Sequence, residues 1–173
     1  MTYRFLVPLL LVAACSPASE TLSESDRNAV AGEIRAANVA LLEALNAHDI
    51  PRVLDLYETG PQFHYVGCTN VIQTSAVFGS IVAGYHKSHP DVTYEMAVTG
   101  LVVLDRDNGV ATLAGESDSL KLFTTRVWRR SEDGSWKVAY EHESWPGCSA
   151  PALPHPGTIP GDTVSLEPPP TGD

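Results

Sequence analysis

The apolar residues of this chain come first as a block, then at helical spacing, then in alternation, and finally hardly at all. The block, FLVPLLLVAA over residues 5–14, falls well short of the ~20 residues a helix needs to cross a bilayer. In residues 23–49, Val30, Ile34, Ala37, Leu41 and Leu45 recur at helical spacing, with Leu42 widening the stripe. Ser, Thr and acidic residues crowd the start of that segment, where they suit the exposed amides and dipole of a helix N-terminus. Asp49 is placed to cap a second short helix, with Pro51 in its first turn and Val53, Leu54 and Tyr57 behind it.

After Thr59-Gly60-Pro61, residues 62–67 (QFHYVG) read as a short strand. Residues 74–89 read as a third helix, with Phe78, Ile81, Val82 and Tyr85 on one face and Pro90 as its stop. From Asp91 the rhythm is that of strands. Residues 91–105 alternate and then turn at Arg106-Asp107-Asn108-Gly109, where Asn-Gly is a strong hairpin signal. Three further strands follow over residues 109–115, 120–130 and 135–145, separated by polar turns at 116–119 and at Ser131-Glu132-Asp133-Gly134. Helices first and an antiparallel meander afterwards predict an α+β domain over residues 25–148, with about three helices packed on one face of the sheet. Residues 149–173 belong to a proline-rich tail with no apolar periodicity and are expected to be extended or disordered.

Charge narrows the partners. A formal net charge of -10 and a pI near 4.9 speak against nucleic acid, which rewards clustered Lys and Arg. They speak equally against docking of the protein surface on anionic lipid headgroups. The amino terminus changes the picture. Arg4 precedes the apolar block, which closes on Val12-Ala13-Ala14-Cys15. This layout resembles the signal peptide and lipobox of bacterial lipoproteins, in which the cysteine is lipidated and becomes the first residue after cleavage. The resemblance implies removal of residues 1–14, a tether over residues 15–24, and a lipid anchor on Cys15 as the only membrane contact. The expected location is the periplasmic face of the cell envelope, and Ser16 in place of aspartate favours the outer membrane. In that oxidising compartment the remaining Cys68 and Cys148 form an even pair and are expected to be disulfide-bonded.

Two stretches, ALNAHDIPRVLDLYETGPQFHYVG and TTRVWRRSEDGSWKVAYEHES, together resemble the opening and closing segments of the nuclear transport factor 2-like superfamily. The second is especially similar to SnoaL-like members and to the association domain of calcium/calmodulin-dependent kinase II. The resemblance implies a cone: a strongly curved antiparallel sheet wrapped around the helices, with a pocket at its open end. It also implies a homodimer formed through the outer sheet face. First and last strands lie side by side in such a cone, which would bring Cys68 near Cys148.

The same resemblance locates candidate chemistry. Ketosteroid isomerase relatives pair a helix tyrosine with a carboxylate at the end of the first strand; here those positions fall on Leu41 and His64. The kinase association domain points two arginines into its pocket; here they fall on Arg126 and on Glu143, so the second charge is reversed and an Arg126–Glu143 pair is expected. With these, Tyr65, Tyr94, Trp128, Tyr140, His142 and Trp145 are candidates for an aromatic-walled pocket. His86 and His89 stand three apart near a helix end, but no carboxylate or cysteine completes a metal site at a recognisable spacing. No metal and no cofactor are expected. The first functional expectation is therefore a membrane-tethered periplasmic domain that binds a small, partly apolar molecule in the cone without catalysis. A second is a SnoaL-like isomerase, cyclase or hydratase with His64 as general base. A third is a dimeric interaction module whose pocket is vestigial.

Overall fold

The structure, a computed structural model, describes residues 21–61, 63–67, 71–72, 74–117 and 120–148. Cys15 with the signal segment, Cys68, and the tail from residue 149 onward lie outside the described residues. Among those described, no helix is long and apolar enough to cross a membrane.

Helix α1 (Glu24–Asn46) begins where Ser23 takes the cap, its hydroxyl accepting from the Asp26 amide at 3.1 Å. Glu24 and Asp26 add negative charge to the first turn, where the helix dipole favours it. Its buried face is Val30, Ile34, Asn38, Leu41 and Ala44. Asn38 is a polar residue in an otherwise apolar stripe, and its partner is described below. Helix α2 (Ile50–Asp55) is capped by Asp49 and holds Pro51 in its first turn. Helix α3 (Ser75–Ser88) is capped by Thr74. Ile34, Leu41, Val53, Phe63, Trp128 and Val138 are each fully buried and anchor the core; each such aliphatic side chain contributes about 1.5–3 kcal/mol relative to exposure.

The strands are β1 (His64–Val66), β2 (Val71–Ile72), β3 (Tyr94–Val103), β4 (Asn108–Ser117), β5 (Leu120–Arg130) and β6 (Trp136–Ser144). They form one sheet in the order β2-β1-β6-β5-β4-β3, curled but not closed. The meander β3 to β6 is antiparallel as expected. First and last strands do lie side by side, but β1 runs parallel to β6, so the sheet is mixed and not wholly antiparallel. The two-residue β2 has no signature in the sequence; it is too short to show alternation. Register shifts between Val98 and Gly100 and between Val127 and Trp128 mark bulges, which bend and twist a sheet.

The β3–β4 turn also differs from expectation. Asn108 and Gly109 already belong to β4, and the reversal falls one step earlier, on residues 105–107. Asp105 closes it, its carboxylate accepting from the Asp107 amide at 2.7 Å and from the Asn108 side chain at 2.9 Å. Gly109 is needed for packing instead of for a turn: a Cβ there would lie 2.5 Å from Ile34 Cδ1. The turn at Ser131 to Gly134 is as predicted, with Gly134 at a φ of 84°.

Candidate functional site

A bulge decides which side chains of β6 enter the concavity. Trp128 pairs with Val138, yet its neighbour Val127 pairs with Tyr140, so Ala139 is an extra residue. Before the bulge the inward positions are Trp136 and Val138; after it they are Glu141, Glu143 and, past the strand end, Trp145. Tyr140 and His142 are thereby turned to the outer face, where both are exposed. On β5 the inward residues are Leu122, Thr124 and Arg126; on β1 the inward residue is Tyr65. Helix α3 closes the other side with Phe78, Ile81, Val82 and Tyr85. Between these walls lies a cavity of about 280 Å³.

Its floor is a buried charged network. Arg126 and Glu141 are cross-strand partners. Arg126 Nε donates to Glu141 Oε2 at 3.1 Å and Nη2 to Oε1 at 3.2 Å, while Nη1 donates to Asn38 Oδ1 at 3.1 Å. The Tyr57 hydroxyl donates to Glu141 Oε2 at 2.5 Å. Arg126 is 5 % exposed and Glu141 2 %. Charges so deep persist only when paired and hydrogen-bonded, which explains both the buried Asn38 and the tyrosine. Burial opposes the charge on Arg126, but the Glu141 carboxylate, with Tyr57 and Glu143 beside it, more than offsets that cost and holds it firmly protonated. Burial, followed by the Glu141 charge, pushes the Tyr57 hydroxyl well above its ordinary range.

Glu143 lies one inward position further along β6 and forms no ion pair among the described residues. Burial pushes its carboxyl up to about 7, and the nearby Glu141 charge adds to the effect; Arg126 and a hydrogen bond from the Tyr65 hydroxyl oppose it. Tyr65 is raised in turn by burial and then by the charge of Glu143. Elsewhere on the wall, the Ser117 hydroxyl is buried, lines the cavity and has no hydrogen-bond partner among the described residues. An unsatisfied buried hydroxyl costs about 1–3 kcal/mol.

Tyr94, on β3 at the rim, is clamped through its backbone by Asn46: its amide donates to Asn46 Oδ1 at 2.7 Å, and Asn46 Nδ2 donates to its carbonyl at 3.0 Å. Its hydroxyl lies 3.3 Å from His86 Nε2. His86 stacks on His48 with ring centroids 4.1 Å apart. Burial, and then His48, hold His86 below the ordinary imidazole range. His89 instead stacks on Tyr85. His86 and His89 therefore face different partners, and among the described residues no cluster of three or more His, Cys, Asp or Glu is placed to hold a metal.

Of the residues singled out in the sequence, Tyr65, Tyr94, Arg126, Glu143 and Trp145 line the cavity. His64, Trp128, Tyr140 and His142 do not. His64 is the neighbour of Tyr65 on β1 and shares the outer face with Tyr140, its cross-strand partner. Trp128 packs in the core beneath the site, fully buried. The expected Arg126–Glu143 pair is replaced by Arg126–Glu141, because the register sets Arg126 opposite Glu141 and Glu143 opposite Thr124. Tyr57, Ser117, Asn38 and Glu141 were not legible as site residues. Cys148 follows β6 at the end of the described chain, and its expected partner Cys68 lies outside it.

No family model and no curated protein matches the sequence. Solved structures do match the fold. A protein of the nuclear transport factor 2-like (NTF2-like) type, of unknown function, from Pseudomonas putida superposes with a TM-score of 0.62 at 18 % identity, covering 72 % of this chain and 94 % of that one. A ketosteroid isomerase-like protein from Erwinia carotovora gives 0.56 at 22 % identity, covering 69 % and 98 %. An association domain from Thiobacillus denitrificans, described as putatively of the calcium/calmodulin-dependent kinase II type, gives 0.58 at 13 % identity, covering 64 % and 93 %. At these identities the likeness establishes the fold: a pocket-bearing NTF2-like, or cystatin-like, architecture.

Proposed function

We propose that this protein binds a small, partly apolar molecule in the cone, and that it does so tethered by a lipid on Cys15 to the periplasmic face of a bacterial envelope membrane, the outer membrane in preference. The observation that supports binding is Ser117: a buried hydroxyl without a partner among the described residues, on the wall of a cavity whose other surfaces are mostly aromatic and aliphatic. Polar groups left unsatisfied in a cavity wall suit a ligand that completes them. Supporting the tether are Arg4, the apolar block and Cys15 in their signal-like order, with an acidic domain that anionic membrane surfaces would repel.

An enzymatic reading through His64 has little support from the geometry, since His64 stands on the sheet face opposite to Tyr65. Acid–base chemistry in the cavity would fall to Glu143, whose carboxyl is poised near neutrality, with Tyr65 beside it. The dimeric reading is favoured by Val102 and Phe123 on the outer sheet face, which are 59 % and 51 % exposed.

Native mass spectrometry of the protein purified from its own cells tests binding. An apo mass for wild type, together with an apolar fluorescent probe that fails to respond to Ser117→Phe, would end the binding proposal. Fractionation tests the tether: wild type is expected with membranes and Cys15→Ser in the soluble fraction.

A further inference from the structure

The charges around the cavity do not sum to a site for an anion. Arg126 directs three of its five N–H groups to Glu141 and Asn38, so its charge and most of its donors are committed to the floor. Glu141 accepts on both oxygens, from Arg126 and from Tyr57. With that pair neutral, Glu143 is the remaining charged group among the described residues of the cavity wall. Facing it are Glu141 on its own strand, Arg126 on β5 and Tyr65 on β1, and of these only Tyr65 gives it a hydrogen bond.

Aromatic rings line the same cavity. Phe78 packs between Tyr65 and Tyr57, its ring 4.9 Å from Tyr65 and 4.7 Å from Tyr57, Tyr65 reaches Glu143 with its hydroxyl, and Trp145, two residues beyond Glu143, lines the same wall. A carboxylate among aromatic rings is the arrangement that attracts an ammonium group, through charge and through the ring quadrupoles. The formal charge of -10 of the whole chain acts in the same sense at longer range. Ser117 stands apart from Glu143, on β4, with Leu120 and Leu122 between them on the wall.

From this geometry we infer that the ligand of the cone is an organic ammonium with an apolar body, its cation held by Glu143 among Tyr65, Phe78 and Trp145, and a hydrogen-bonding group at its other end reaching Ser117. The inference rests on the binding function proposed above and names the class of molecule bound. A carboxylate or phosphate is disfavoured, because it would meet two glutamates and an arginine already occupied. Glu143 must be ionised to serve, so affinity for the ammonium rises with pH until that carboxyl is deprotonated, and Tyr65 and Arg126 steady the anion.

Three probes with one apolar body separate the alternatives: 4-phenylbutylamine, 4-phenylbutanol and 4-phenylbutyrate, titrated into the purified full-length protein by calorimetry with tryptophan fluorescence as a second readout. At around pH 8 the amine is expected to bind at least about tenfold more tightly than the alcohol, and the butyrate most weakly. Amine affinity should fall by up to about tenfold per pH unit below 7, while alcohol affinity stays level. Glu143→Gln should erase the amine's advantage and leave alcohol binding in place. An alcohol or butyrate that binds as tightly as the amine, or an amine preference that survives Glu143→Gln, overturns the ammonium assignment alone. Failure of all three probes to bind overturns the binding function and this inference with it.

Discussion

Arg126 and Glu141 face each other across β5 and β6 and are joined by two hydrogen bonds, of 3.1 and 3.2 Å, at the floor of the cavity. The pair ties three elements together, since Asn38 from α1 takes a third arginine donor and Tyr57 gives its hydroxyl to the glutamate. It also frees the next inward residue, Glu143, from any fixed counter-ion, and so sets the electrostatic character of the cavity.

Breaking that pair on one side leaves a bare buried charge. Arg126→Met and Glu141→Leu are each expected to cost about 3–5 kcal/mol in urea unfolding, and the double variant much less than the sum. Additive losses would show that the two residues are not coupled.

Glu143 makes stability depend on pH with a definite sign. Its carboxyl is raised from 4.5 to about 7 in the folded protein, so between those values the folded state holds a proton that the unfolded chain has released. Stability from this group therefore declines as pH rises from about 4.5 to about 7, and stays low above it. Glu143→Gln should be more stable than wild type by roughly 3 kcal/mol near pH 8 and close to equal near pH 4. Thermal melts at the two pH values read the difference, and equal gains at both would refute the assignment.

Two glycines on β4 predict unequal costs. At Gly115 a Cβ would collide with the Glu95 carbonyl oxygen and lie 2.7 Å from Met96 Cα, both backbone. At Gly109 its nearest contact is the Ile34 side-chain tip, which can be trimmed. Gly115→Ala is expected to unfold the protein or cost more than about 3 kcal/mol. Gly109→Ala should cost less, and Ile34→Val in the same chain should recover part of it. The reverse ranking would show that β3 and β4 are not packed as described.

The proposed Cys68–Cys148 bond would close a loop of some 80 residues, worth about 4 kcal/mol if unstrained. Peptide mapping of the protein purified without reductant should show the two cysteines linked, and reduction should lower the melting temperature. Finding both thiols alkylated in the native protein would dismiss the bond.

Most of the fold was legible because its elements are marked locally. Asp49 and Pro51 announce α2, Pro90 the end of α3, and Asp133-Gly134 the last hairpin, each through backbone rules that need no distant partner. The candidate site was legible only in part. Arg126, Glu143, Tyr65 and Tyr94 were found through resemblance to other chains. Asn38 was not, since a polar residue within an apolar stripe reads as surface unless its partner, 88 residues away, is known. The Asn108-Gly109 turn was misplaced for a similar reason. Local preference favoured a two-residue reversal there, and packing of Ile34 against Gly109 prevailed.

The sequence by itself determined the elements, their order and the acidic character of the chain, because spacing, caps and charge are properties of neighbouring residues. Only the tertiary structure decided what enters the cone. One extra residue at Ala139, set by how β6 pairs with β5, exchanges Tyr140 and His142 for Glu141 and Glu143. Strand alternation has a period of two, so a single bulge reverses every side chain beyond it. That reversal places Arg126 against Glu141 and leaves Glu143 to face the cavity.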